Sequence, residues 1–230
     1  MEIHTFTAGL ITKEKLTDEV YRISFTHPDK FSFKAGQFIQ IKFEKNEEIK
    51  WRAYSILNPP SHNSMIEIIV KIVDGGFASE ILKESFHGNK FEIKGPFGQF
   101  IFDEQDTSEN IVMICTGTGV APFHSILKEN LLKFPNKNFT LLFGVKTLSN
   151  MFLKEQFDVM EKRHSNFKFV PVLSKESWEG KIGHVQQFIP KPDGKTTYYI
   201  CGLKELVLET EQLLKDNKVP EDKIKKERYN

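Results

Sequence analysis

The stretch that most constrains this chain is Cys115–Phe123, which reads Cys-Thr-Gly-Thr-Gly-Val-Ala-Pro-Phe. Ahead of it, Ile111–Ile114 has the unbroken apolar character of a buried strand in a parallel sheet. Behind it, Phe123, Ile126, Leu127 and Leu131 recur at helical spacing. A strand, a glycine turn and a helix start together aim backbone N–H groups at an anion. Gly117 and Gly119 permit positive φ and close approach of a ligand to the backbone. Pro122 suits a first helical turn because it has no N–H to leave unpaired. The turn therefore reads as a phosphate- or dinucleotide-binding loop, with a plain glycine-assisted reversal of direction as the alternative. It is not a P-loop, since no Gly-Lys-Ser/Thr follows, and Pro122 stands where Gly-x-Gly-x-x-Gly would have its third glycine.

The rest of the chain divides by rhythm. In residues 1–100, strand-like runs at Val20–Phe25, Phe38–Ile41, Trp51–Leu57, Met65–Val73 and Phe91–Ile93 are separated by turn residues such as His27-Pro28-Asp29, Asn58-Pro59-Pro60 and Gly95-Pro96. That spacing predicts an antiparallel barrel, interrupted by one helix over Ala78–Phe86. Asp103–Asn110 has no apolar residue and reads as a linker. Beyond it, strands at Ile111–Cys115, Phe139–Phe143, Phe167–Val172 and Thr197–Cys201 alternate with helices at Pro122–Leu132, Leu153–Glu161 and Glu205–Lys215. Alternation of this kind means a parallel sheet with ligands at its carboxyl edge. The expected fold is thus two-domain β + α/β: an antiparallel β-barrel over 1–104 and a parallel α/β domain over 110–230.

Composition narrows the function. A net charge of +1 argues against bulk nucleic acid as a partner. Two cysteines, Cys115 and Cys201, are too few for the usual iron–sulfur ligand set, and neither lies in a Cys-x-x-Cys pair. A disulfide between them stays open, with a reduced intracellular pair as the expectation. The seven histidines show no metal-ligand spacing, so no metal is expected. No signal-like start and no apolar run near the ~20 residues of a membrane span appear, which predicts a soluble cytoplasmic protein.

Two further motifs carry chemistry. In the strand Trp51–Ser55, Arg52 and Tyr54 fall on one face, offering a guanidinium fork for phosphate and a ring for a planar ligand. An exposed Arg beside a packed Tyr is the plainer alternative. Asp74-Gly75-Gly76-Phe77-Ala78-Ser79 opens the one helix of the first half and makes a second anion-ready helix start, with Ser79 as a plain N-cap the competing reading. A glycine-opened helix in each half suggests two phosphate-bearing cofactors meeting at a crevice.

Taken in order, Arg-x-Tyr-Ser at 52–55, Gly-Gly-x-x-Ser at 75–79, Gly-Pro-Phe-Gly at 95–98, Gly-Thr-Gly-x-Ala-Pro-Phe at 117–123 and Tyr-x-x-Cys-Gly at 198–202 resemble the ferredoxin–NADP reductase family of flavoenzymes. The resemblance starts at Ala35-Gly36-Gln37-Phe38 and spans nearly the whole chain. It implies an FAD-binding barrel followed by an NAD(P)-binding α/β domain. On this resemblance Arg52 pairs with the flavin phosphates, Tyr54 stacks on the isoalloxazine, and Ser55 lies near flavin N5. Ala53, Ile69 and Lys71 join the flavin site, and Gly76, Phe77, Ala78 and Ser79 cradle the FAD pyrophosphate. Thr116, Gly117, Thr118, Ala121 and Pro122 form the loop under the nicotinamide nucleotide. Cys201 and Gly202 place the nicotinamide, Tyr229 covers the second flavin face and Glu227 lies near the hydride path, a frayed polar tail being the alternative for the last two. Ser55, Cys201 and Glu227 are the catalytic candidates. For Cys201 the plain alternative is a small buried hydrophobe.

The chain departs from the family pattern where Leu203 and Lys204 follow Cys-Gly in place of Pro, where Lys146 follows Gly-Val in place of Arg, and where Asn230 extends past Tyr229. The implied activity is hydride transfer between NAD(P)H and FAD, with electrons passed to an external carrier such as ferredoxin or flavodoxin by a monomeric enzyme. Ser174, Lys175 and Lys181 favour NADPH, against Glu176 and Glu179. A different class stays open: an FAD-binding electron-transfer subunit that works only inside a larger complex.

Overall fold

The computed structural model describes residues 2–62 and 64–229. Asn230 falls outside them. The chain forms two compact units, Met1–Phe102 with His124–Glu129, and Asp103–Phe123 with Asn130–Asn230.

The first unit is a curled sheet of β1 (His4–Lys15), β2 (Val20–Phe25), β3 (Phe38–Lys45), β4 (Glu48–Ser55), β5 (Ile66–Lys71) and β6 (Lys90–Phe97), with helix α1 (Phe77–Glu84) between β5 and β6. All neighbours are antiparallel in the order β4-β3-β6-β1-β2-β5. The two ends of that order meet just past β4: Ile56 bridges Ile68, and Leu57 N–H donates to the Glu67 carbonyl at 2.8 Å. Inward-facing Ile23, Phe25, Ile39, Ile41, Phe43, Ile68 and Ile93 are buried completely or nearly so, and Ala78 and Leu82 of α1 join the same core.

Three features of this unit depart from the sequence expectation. Residues 4–15, whose pattern alone points to no element, form the longest strand of the sheet, with Phe6, Ala8 and Leu10 alternating inward. Asn46 and Glu47 both take positive φ in a two-residue turn between β3 and β4, the twist a tight hairpin needs. Gly95-Pro96 does not end a strand. Between Phe38↔Phe97 and Gln40↔Lys94 the register slips by one residue, and Pro96 sits in that irregularity, where its missing N–H breaks no ladder bond.

The second unit is a six-stranded parallel sheet of β7 (Asn110–Thr116), β8 (Asn138–Val145), β9 (Phe167–Leu173), β10 (Lys181–Ile182), β11 (Thr196–Leu203) and β12 (Ile224–Tyr229), in the order β10-β9-β8-β7-β11-β12. Its helices are α3 (Lys154–Arg163) and α4 (Lys204–Asp216), while α2 (Ala121–Asn130) starts and ends in this unit and has its middle, His124–Glu129, counted with the first. Phe157 of α3 packs edge-on to Phe143 at 6.5 Å and against Phe169 at 5.1 Å. The other face is closed by Val185 and by Leu206, Val207 and Leu214 of α4. The chain runs outward from β7 to β10 and then returns to build β11 on the opposite side, so the strand order reverses between β7 and β11. In open parallel sheets that reversal point is where ligands bind.

The polar run read as a linker is fastened to this unit. Lys223 Nζ donates to Asp106 Oδ1 at 2.7 Å and to Ser108 Oγ at 2.9 Å, and Ser108 shares a 2.9 Å hydrogen bond with Thr197. Burial alone would raise the Asp106 pKa, but the hydrogen bonds from Lys223, Thr197 and Ser108 outweigh it and hold the carboxyl well below the ordinary range. β12 is the second missed strand. It pairs with β11 residue for residue, from Tyr198↔Ile224 to Leu203↔Tyr229, so the stretch whose alternative was a frayed tail is an edge strand of the sheet.

Candidate functional site

In the first unit, β4 pairs with β3 so that Arg52 stands opposite Ile41 and Tyr54 opposite Ile39. Directly opposed residues share a face, so Arg52 and Tyr54 are together, as their spacing predicts. The Tyr54 ring packs edge-on to Phe43 at 6.3 Å, and burial pushes its hydroxyl pKa up against a smaller downward pull from Arg52. Arg52 is exposed. Ala53 is exposed on the opposite face of the strand, and Ser55 ends it, buried.

Helix α1 begins beside this strand, with Lys50 Nζ 4.6 Å above the Phe77 ring. Its N-cap is Gly76, in extended conformation and without a side-chain cap. Ser79 is therefore not the N-cap. Its Oγ accepts the Val73 N–H at 3.0 Å and ties the entering turn to the helix. The first-turn N–H groups of α1 are thus left for an outside acceptor. The turn ahead of them is roomy, for a Cβ on Gly75 would meet nothing within 4 Å. An exposed guanidinium, a half-buried ring and uncapped helix amides on neighbouring elements suit a phosphorylated planar ligand. Ile69 and Lys71 lie on β5, which the chain just past β4 meets at Ile68. Ile69 is buried opposite Arg22, off the face of the core-lining Ile68 and Val70, and Lys71 pairs with Glu19 at 3.0 Å.

In the second unit, the glycine turn leaves β7 at the reversal point. Thr116 is extended, and Gly117–Val120 form a single 3₁₀ turn that runs straight into α2, with Ala121 N–H donating to the Thr118 carbonyl. The two glycines serve different ends. Gly117 has φ +53°, and a Cβ there would meet nothing within 4 Å. Gly119 is not left-handed; a Cβ on it would lie 2.4 Å from the Cys201 carbonyl oxygen, so glycine is required by the close passage of β11. Ala121 and Pro122 are buried, shaping the turn from beneath, while Thr116, Gly117 and Thr118 are half-buried at its rim. Open space at Gly117 and a row of helix-start amides are what a dinucleotide pyrophosphate requires.

Cys201 lies next to this turn. It is opposite Cys115 on one side and Glu227 on the other, and all three project from the same face of the sheet. Burial pushes the Cys201 thiol pKa well up, the Glu227 charge adds to the rise, and a hydrogen bond with Tyr229 opposes it. Cys115 is likewise buried and shifted up, and both thiols are free. Gly202 follows with φ +154°, its Cβ position 3.4 Å from Thr116 Oγ1. The structure therefore brings Thr116, Gly117, Cys201, Gly202, Glu227 and Tyr229 to one end of three adjacent strands. Ser174 and Lys175 are exposed past β9, held by the Val145 and Lys146 carbonyls at 3.0 and 2.9 Å. Glu176 accepts the Leu148 N–H at 2.6 Å, and Lys181 lies over the Phe188 ring at 5.3 Å. Among the described residues no group of three His, Cys, Asp or Glu could hold a metal ion, and no helix is long and apolar enough to cross a membrane.

Residues 7–102 match the oxidoreductase FAD-binding domain and residues 113–212 the oxidoreductase NAD-binding domain. The chain belongs to the ferredoxin–NADP reductase family of flavoenzymes. It is 28% identical to ferredoxin–NADP reductase B of Sorangium cellulosum, with 100% of this chain and 99% of that protein covered. It is 26% identical to the phenol hydroxylase P5 protein of Acinetobacter pittii over 99% of its own length, and spans 66% of that relative. Among solved structures, a ferredoxin NADP+ reductase from Neisseria gonorrhoeae with bound FAD and NADP shares the fold at a TM-score of 0.89 and 20% identity, covering 97% of this chain and 98% of that one.

Proposed function

We propose that this chain is a flavin-dependent reductase that moves a hydride between NAD(P)H and FAD and passes electrons to a separate carrier such as ferredoxin or flavodoxin. The observation that carries the reading is the grouping of Cys201, Glu227 and Tyr229 beside the open glycine turn at the reversal point of the parallel sheet. Bound FAD would supply the step between paired and single electrons, and the protein supplies position and electrostatics. Residues 1–104 hold FAD and 110–230 hold the nicotinamide nucleotide. Arg52 pairs with phosphate, the amides of Phe77 and Ala78 take the pyrophosphate where Gly76 lets it approach, and Tyr54 and Ser55 sit at the ring system. Thr116, Gly117 and Thr118 cradle the second nucleotide, and Cys201, with Gly202, sets its reacting end. A neutral Cys201 thiol, favoured by its burial, presents a small uncharged surface to a hydride path. Glu227 holds a charge or a proton beside that path.

Ser174 and Lys175 supply a hydroxyl and a cation where a 2′-phosphate would lie, and the Glu176 carboxylate is engaged by Leu148, which together favour NADPH. The match to ferredoxin–NADP reductase B of Sorangium cellulosum along almost the whole of that protein supports the reductase reading. The deciding experiment is the visible spectrum of the purified protein with FAD, under anaerobic addition of NADPH and then of NADH. Bleaching by NADPH ahead of NADH is expected. Yellow protein that neither nucleotide bleaches would favour the electron-transfer subunit, and protein that takes up no FAD would overturn the assignment.

A further inference from the structure

Lys13 occupies a place that strand alternation would give to an apolar side chain. Between Leu10 and Thr12 the register of β1 against β2 slips by one residue, so Lys13 comes to lie opposite the core residue Ile23. Its ammonium donates to three carbonyls at the C-terminal end of α1: Leu82 at 3.1 Å, Lys83 at 2.8 Å and Ser85 at 2.5 Å. Those three bonds use all the donors an ammonium has. The last carbonyls of a helix have no intrahelical partners, and α1 ends on an extended Ser85, without a left-handed cap residue. The lysine takes the part of that cap, and its charge complements the negative end of the helix. At the other end of α1, ~12 Å away, Gly76 leaves the first-turn amides open. An eight-residue helix is not stable by itself, so its position depends on such anchors. The Lys45–Glu80 ion pair on its flank is exposed and holds it only weakly.

We infer that Lys13 is a positioning residue for FAD: by clamping the C-terminal end of α1 to β1, it sets where the N-terminal amides meet the pyrophosphate. This rests on the flavin reading of the first unit. Lys13→Met keeps the stem and removes the ammonium. It is expected to raise the Kd for FAD about tenfold while changing the Kd for FMN, which lacks the pyrophosphate, by less than about twofold. Lys13→Arg should recover part of the loss. In protein free of flavin, amide exchange over Phe77–Glu84 should quicken in Lys13→Met while α4 keeps its protection. Equal losses for FAD and FMN would make Lys13 a general support of the barrel and overturn the inference, as would unchanged exchange in α1. Should Lys13→Met not fold, Lys13→Gln carries the same comparison, and an unshifted FAD-to-FMN ratio there overturns it. Failure of the flavin reading would show separately, as wild-type protein that binds neither FAD nor FMN.

Discussion

Helix α1 and the turn after β7 both begin a helix on glycine with open amides, yet they are held by opposite means. The first is fastened by side chains: Ser79 ties the entering turn, Lys13 clamps the far end, and Arg52 on the neighbouring strand supplies the charge. The second is fastened by backbone. Gly119 passes so close to the Cys201 carbonyl that no side chain fits, and its strand is buried in the middle of a parallel sheet. A site built on side chains loses function one contact at a time and keeps its fold. A site built on backbone packing tolerates outward changes and fails as a whole on inward ones.

The largest expected effect tests the backbone side. Gly119→Ala puts a methyl 2.4 Å from a carbonyl oxygen that cannot swing aside, and should cost roughly 3 kcal/mol or more of stability, read in thermal unfolding. A fully stable Gly119→Ala would break the comparison. Next, Arg52→Ala should weaken FAD binding about 10- to 100-fold, as the loss of charge-assisted hydrogen bonds implies. Its melting temperature without flavin should stay close to wild type, because Arg52 is exposed; a large drop would show that β4 depends on it. Acid stability comes third. The native Asp106 carboxyl sits below its unfolded value of about 4. Its contribution is therefore complete above that value and disappears as pH falls through the lower native one. Asp106→Asn should cost roughly 1–2 kcal/mol at neutral pH and flatten the stability profile below about pH 5. An unchanged profile would show that the Lys223–Asp106–Ser108 network stabilises nothing. Last, Gly117→Ala should cost only about 1 kcal/mol of stability, for a left-handed alanine with open space around it. Its NADP+ affinity should nevertheless fall, since the methyl points into that space, and FAD affinity should hold. Equal affinities for NADP+ in Gly117→Ala and wild type would move the pyrophosphate away from this turn.

Much of this organisation is legible in the sequence because local pattern and tertiary role agree. The apolar run Ile111–Ile114, the glycines after it and the helical spacing from Phe123 are consistent at every level, and the structure keeps them together. Arg52 and Tyr54 are legible for the same reason, as the period of a strand fixes their common face. What stays hidden depends on partners distant in sequence. β1 changes inward phase at its bulge, which breaks the alternation that would mark it. β12 has six residues of which four are charged, and it holds because Lys226 reaches Glu211 on α4 and Ile224 joins the core below. The need for glycine at 119 comes from a strand more than eighty residues later, and the residues that read as a linker are secured by Lys223 from still further on.

The residue-by-residue pairing of β12 with β11 makes the chain end a ruler. Glu227 is set level with Cys201, and Tyr229 begins two residues, or ~6.6 Å, further along the same face. Inserting one residue between Ile224 and Lys226 would leave composition and charge almost untouched. It would turn both side chains to the α4 face and bring Lys226 level with Cys201 in place of the acid. The spacing of this short edge strand, more than the identity of its individual charges, is what such a reductase would have to preserve.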